Sequence, residues 1–183
     1  MTPHAPVRWG FLGAGFVASR GLAPAVHDAT GAVLQVVAAR EATRAALLEP
    51  VRAVDSYAAV CEADDVDVVY LSLPNDDHLP WVLTALGAGK HVLCEKPLGL
   101  DAAQVVDMMD AAQRAGTVLV EASWNRWHPR TRRVEALLGS VDGQIDGMPG
   151  SPSRASPPAT TGSTLIAVAV HSSTSAATRL QPR

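Results

Sequence analysis

The sequence Cys94-Glu95-Lys96-Pro97 places a lysine between an acid and a proline at the end of an apolar run, His91-Val92-Leu93-Cys94. It lies about eighty residues after a glycine turn, Gly13-Ala14-Gly15-Phe16-Val17-Ala18. A lysine ammonium donates hydrogen bonds to an oxygen on which negative charge develops, and partial burial would ease release of its proton. The glycine turn has a different chemistry. In Gly13-x-Gly15-x-x-Ala18, Gly13 permits a tight turn, Gly15 lets a pyrophosphate approach the backbone, and Ala18 replaces a third glycine where helix and strand pack closely. The helix opening at Phe16 and Val17 then offers free N–H groups and partial positive charge to an anion. A dinucleotide site followed by a lysine at a strand end predicts redox chemistry. The plain alternatives are an ordinary glycine turn and a Glu95–Lys96 ion pair on a surface loop.

Two further segments belong to the same site. The second strand ends in Val37-Ala38-Ala39-Arg40-Glu41, where an NAD site would carry an acid for the adenosine ribose. Arg40 instead favours a 2′-phosphate, and Arg44, one helical turn later, could add a second contact, which predicts NADP as the cofactor. The alternative is NAD, with Glu41 on the ribose. Leu73-Pro74-Asn75-Asp76-Asp77-His78 ends a third apolar run, where ligands of open α/β sheets bind. Leu73, Pro74 and Asn75 are expected to line the nicotinamide-ribose crevice. His78 is expected either to touch the cofactor or to orient the loop, and Asp76 or Asp77 to cap the next helix.

These residues need a scaffold that brings strand ends together. Short β-rich runs alternate with alanine- and leucine-rich stretches from Val7 to about Leu138, as in a doubly wound parallel sheet of the α/β class. The pattern predicts strands at Val7 to Leu12, Val33 to Ala39, Val66 to Leu73, His91 to Cys94 and Thr117 to Glu121. It predicts a helix from Ala102 to Ala115, capped by Asp101 with Gln104 three residues on and stopped by Gly116, and another from Asp76 to Ala88.

The chain has 183 residues, 48% of them hydrophobic, and a net charge of −3. That suits a globular protein and supports neither nucleic acid nor a membrane as partner. Two cysteines, Cys61 and Cys94, in runs that read as buried, are too few for a disulfide scaffold or a metal site and fit a reducing cytoplasm. No leader or spanning segment is apparent; Leu165 to Val170 is far too short to cross a bilayer. From Ser151 onward the sequence holds no aromatic and no acidic residue. The expected organisation is therefore a nucleotide-binding domain over 1–128, the incomplete start of a second domain over 129–150, and a disordered tail over 151–183, with Leu165 to Val170 as a lone strand.

With Gly13-x-Gly15-x-x-Ala18, Leu73-Pro74-Asn75-x-x-His78 and Glu95-Lys96-Pro97 in this order, the stretch from about Val7 to Pro129 resembles the N-terminal half of the Gfo/Idh/MocA oxidoreductases. Glu121-Ala122 followed by Arg126, His128 and Pro129 is similar to the dihydrodiol and xylose dehydrogenase branch, which mostly uses NADP. The resemblance implies that Lys96 is the catalytic residue beside the nicotinamide ring, that Glu95 lies near its ribose, that Arg126 belongs to the cofactor site, and that Pro97 fixes the backbone through a cis peptide. It implies a sugar- or diol-like substrate and a homo-oligomer. Family members continue past the helix Pro129 to Leu138 into a large substrate-binding sheet carrying a second acid or base. No such sheet is legible here, so an inactive chain of doubtful oligomeric state is expected, truncated or frame-shifted after about Gly139. A non-enzymatic dinucleotide sensor is the other reading.

Overall fold

Six strands form one sheet in the computed structural model, which describes residues 5–138. They are β1 (Val7–Leu12), β2 (Ala32–Ala38), β3 (Arg52–Val54), β4 (Val68–Leu71), β5 (His91–Cys94) and β6 (Leu119–Glu121). All neighbours pair in parallel in the order β3-β2-β1-β4-β5-β6. This is the doubly wound Rossmann order, whose direction of winding reverses between β1 and β4. Leu12 pairs with Ala38 on one side and Leu71 on the other; Leu71 pairs with Cys94 and Cys94 with Glu121. The carboxyl ends of five strands therefore stand in one row, and every loop that could hold a ligand leaves from it.

Local bonding sets the element ends. The Val66 N–H is taken by Ala63 O, so β4 starts two residues later than the apolar run suggests. The Thr117 N–H closes the preceding helix on Ala112 O, and β6 begins at Leu119. The edge strand β3 was not expected.

After the glycine turn comes a π-helical stretch, Ala18–Leu22, continuing as α1 (Ala23–Asp28). The other helices are α2 (Ala42–Ala46), α3 (Tyr57–Cys61), α4 (His78–Gly87), α5 (Ala102–Ala115), α6 (Trp124–Trp127) and α7 (Pro129–Leu138). Asp101 accepts from the Gln104 N–H at 2.9 Å, and the Gln104 side chain takes the Leu100 N–H at 3.0 Å, which pins the start of α5. Its end is a left-handed Gly116. The helix expected from Asp76 starts at His78 instead, and neither Asp76 nor Asp77 caps it through its side chain. The chain enters through a 3₁₀ turn, Asn75–Asp77, closed by the Asp77 N–H on Pro74 O, which leaves no open first turn for an aspartate to cap.

Both faces of the sheet bear a core. On one, Leu12, Val36, Leu71, Val92 and Cys94 pack with Val60, Val82, Leu86 and Met108 of α3, α4 and α5. On the other, Phe11, Val37 and Tyr70 pack with Ala18, Val26 and Ala45. Each large apolar side chain so buried contributes on the order of 1.5–3 kcal/mol. Cys61 and Cys94 are buried and unpaired with each other, and burial pushes their thiols up to about 11 and about 12, so both stay protonated.

The chain divides into two units after Arg133. The first holds the whole sheet; of the second, only the last turn of α7 is described. The expectations for 139–150 and for 151–183, with the lone strand, lie outside the described residues. Among the described residues no helix is long and apolar enough to cross a membrane.

Candidate functional site

The glycine turn sits at the reversal point, after β1. Gly13 adopts φ +101°, and a Cβ there would lie 2.9 Å from Ser72 O, so neither the conformation nor the space admits another residue. Its N–H donates to Ala38 O at 2.9 Å, and the Ser72 hydroxyl lies 3.3 Å from Leu12 O, tying the turn to the ends of β2 and β4. Gly15 differs. A Cβ there would meet nothing within 4 Å, so the fold does not demand glycine and the space above the turn is open to a ligand. Ala18 is fully buried in the core beneath the turn, while the Phe16 and Val17 side chains are exposed at the start of the helix.

Arg40 and Arg44 are both exposed beyond the end of β2. Among the described residues neither guanidinium forms an ion pair, whereas Arg8 and Arg52, at the opposite edge, are held by Asp67 and Asp65 at 2.6 and 2.9 Å. Glu41 forms the backbone boundary of α2 and makes no side-chain cap.

The lysine turn follows β5, between the ends of β4 and β6. The Lys96–Pro97 peptide is cis. Lys96 was expected to be partly buried and is exposed, because its turn projects past the row of strand ends. The carboxylate of Glu95 does not pair with the lysine ammonium: Oε1 accepts from the Tyr70 hydroxyl at 2.8 Å and Oε2 from the Lys96 N–H at 3.3 Å. Burial, then this carboxylate, raises the Tyr70 hydroxyl well above its ordinary value, so it remains a donor.

His78 is fully buried. Its Nδ1 lies 2.9 Å from Pro97 O and its Nε2 3.1 Å from Leu73 O. Both partners are acceptors, so either tautomer of the ring donates its one N–H to one carbonyl and only lies against the other. The ring thus lies between the two loops with no surface open to solvent. Leu73 is half-buried against the core, and Pro74 and Asn75 are exposed in the loop after β4. Arg126 is exposed on α6, beyond β6.

Two residues of the site were given no role from sequence. Tyr70 and Glu121 each put a polar group near the end of an otherwise apolar strand, and that pattern was the available signal. Glu121 accepts the Leu98 N–H at 2.9 Å on Oε1 and the Ser123 hydroxyl at 2.9 Å on Oε2. Below Glu95 and Lys96, the face of β4, β5 and β6 opposite α4 and α5 borders a cavity of about 850 Å³, lined by Trp9, Tyr70, Leu93, Val120, Trp124 and Trp127.

A family model described as oxidoreductase family, NAD-binding Rossmann fold (Gfo/Idh/MocA), matches residues 7–123. The chain is 34% identical over 140 residues to a D-xylose 1-dehydrogenase (NADP(+)) of Haloferax volcanii, covering 75% of this chain and 43% of that protein. It is 35% identical over 145 residues to a trans-1,2-dihydrobenzene-1,2-diol dehydrogenase of Mus musculus, covering 76% and 43%. The crystal structure of a 3-ketoreductase from Actinomadura kijaniata in complex with NADP superposes with a TM-score of 0.70 at 36% identity, over 73% of this chain and 44% of that one. The chain thus spans less than half the length of these relatives.

Proposed function

The chain belongs to the Gfo/Idh/MocA oxidoreductase family and is an NAD(P)-binding Rossmann domain, and we propose that it serves NADP-linked oxidation or reduction of a sugar- or diol-like substrate. The observation that carries this reading is the single row of strand ends. It sets the open space over Gly15 and the exposed Lys96 on the same edge, two strands apart.

In this reading the backbone of Gly13 to Ala18 receives the pyrophosphate, with Phe16 and Val17 contributing N–H groups at the helix start. Arg40 and Arg44, whose guanidinium groups have no ion-pair partner among the described residues, hold the 2′-phosphate. Leu73, Pro74, Asn75 and Glu95 surround the nicotinamide ribose, and Arg126 approaches from α6. The nicotinamide accepts or supplies hydride when bound. Lys96 donates a hydrogen bond to the substrate oxygen whose charge changes as hydride moves, and passes or takes its proton. Two buried thiols fit a reducing compartment, and we place the protein in the cytoplasm.

Lys96 is exposed, which leaves a substrate weakly oriented against it, and loss of orientation removes many orders of magnitude in rate. Fluorescence titration of the 183-residue chain should show NADPH binding, and assays with NADP and panels of sugars and diols should show no turnover. Failure to bind either dinucleotide would sink the proposal. Turnover that Lys96→Ala eliminates would instead show that the chain positions substrate unaided, and would remove the sensor reading.

A further inference from the structure

The lysine turn carries an exposed side chain, yet its backbone is held from both sides by polar side chains, the buried His78 on one and Glu121 at the cavity wall on the other. We propose that His78 and Glu121 are positioning residues that fix Lys96 by clamping the carbonyl of Pro97 and the N–H of Leu98. This rests on the reading of Lys96 as the group beside the nicotinamide.

On the β4 side, His78 opens α4 and is fully buried. A buried imidazole is costly unless its N–H is engaged, and here its two nitrogens lie against carbonyls of the two loops, Leu73 O and Pro97 O, one of which accepts that N–H. The ring therefore sets the spacing between the Leu73-Pro74-Asn75 loop and the Lys96-Pro97 turn. On the β6 side, Glu121 ends the strand and accepts the N–H of Leu98, itself almost fully buried. Its second oxygen is held by the Ser123 hydroxyl, which fixes the carboxylate in turn. Glu95, held by Tyr70, adds a third tie between β4 and the turn. Lys96 has four rotatable side-chain bonds, so the place of its ammonium is defined only if the backbone beneath it is.

The sequence contains two lysines, Lys90 and Lys96. The full chain labelled with ¹³C-lysine therefore gives two side-chain signals, and Lys90 is an internal control, since its ammonium is tied to Ala63 O and Val66 O away from the turn. NADP should shift the Lys96 signal and leave that of Lys90. In His78→Phe, which fills the same volume without donors, and in Glu121→Leu, NADP should still bind but the Lys96 shift should be lost or broadened. Glu121→Gln, which retains the acceptor for Leu98, should recover it; a merely structural carboxylate would not be rescued selectively.

Amide exchange of Leu98 in the ligand-free chain reads the clamp without any cofactor. It should quicken by about tenfold or more in His78→Phe and Glu121→Leu while the β4 and β5 amides stay protected. If His78→Phe does not fold, the Glu121→Leu and Glu121→Gln pair decides alone. A wild-type Lys96 signal indifferent to NADP would overturn the placement of the lysine beside the nicotinamide, not the clamp. Equal Lys96 responses and unchanged Leu98 exchange in the folded variants would overturn the clamp.

Discussion

The two halves of the sheet are built to different completeness. Around β1, β2 and β3 both faces are packed, one against α3 and the other against the π-helical stretch, α1 and α2. Around β5 and β6 one face is filled by α4 and α5, while the other presents Leu93 and Val120 to the large cavity. The alternation along β5 shows it: Val92 and Cys94 are buried, His91 is exposed and Leu93 is half-buried. A parallel strand is stable when covered on both sides. The half that would grip phosphates is thus self-sufficient, and the half bearing the lysine relies on side-chain ties to keep its turn in place.

The sharpest way to separate the halves is to block the first. Gly15→Val should abolish binding of either dinucleotide while leaving the circular dichroism and unfolding midpoint unchanged, because the added side chain enters space the fold does not use. Retained affinity would remove the glycine turn from the site. The faces of the second half can be compared with one chemistry. Leu71→Ala, on the filled face, should cost about 2–5 kcal/mol in urea unfolding. Leu93→Ala, on the cavity face, should cost about 1 kcal/mol or less, since little packing surrounds the methyls to be lost. Equal costs would mean that something covers this face in solution.

Legibility in the sequence follows the same division. Motifs carried by backbone, such as the turn at Gly13, are visible because only certain residues permit that backbone. The capped helix from Ala102 to Ala115 was legible for the same reason, with Asp101 and Gly116 marking its ends. The edge strand β3 was not, since Arg52-Ala53-Val54 is too short to show a period and one of its three residues is charged. The roles of His78, Tyr70 and Glu121 depend on partners 5 to 25 residues away, Leu73, Pro97, Glu95 and Leu98, and no local pattern reveals them. The exposure of Lys96 was also hidden, because it depends on how the turn sits against the rest of the sheet and not on the local sequence.

Within the first half, the unpaired arginines invite a smaller perturbation. Arg40→Asp should weaken NADP by about 1.5–3 kcal/mol, the range for a hydrogen bond to a charged group, and leave NAD nearly unchanged. Calorimetric titration of both cofactors measures the difference. Equal affinities in the unsubstituted chain would give the ribose to Glu41 and make the second-strand end that of an NAD site.

The smallest effect is expected where the halves are stitched at the edge opposite the site. There Arg8 of β1 grips Asp67 ahead of β4 through both carboxylate oxygens, and Arg52 of β3 grips Asp65, which Gln35 of β2 also contacts at 2.9 Å. The Arg52 hydrogen bond, then that of Gln35, lowers the Asp65 carboxyl from its ordinary value to about 2. A carboxyl lowered on folding stabilises the protein above its unfolded value, near 3.9, and that stability is lost as pH falls from there through about 2. The pair is exposed to solvent over 45% and 35% of its side chains, so screening holds the contribution to about 1 kcal/mol or less. Asp65→Asn should therefore lower stability slightly at pH 7, by an amount that shrinks in high salt, and should match the unsubstituted chain once the pH falls below about 2. A penalty that persists undiminished at that pH would show that Asp65 acts through shape or hydrogen bonding rather than charge.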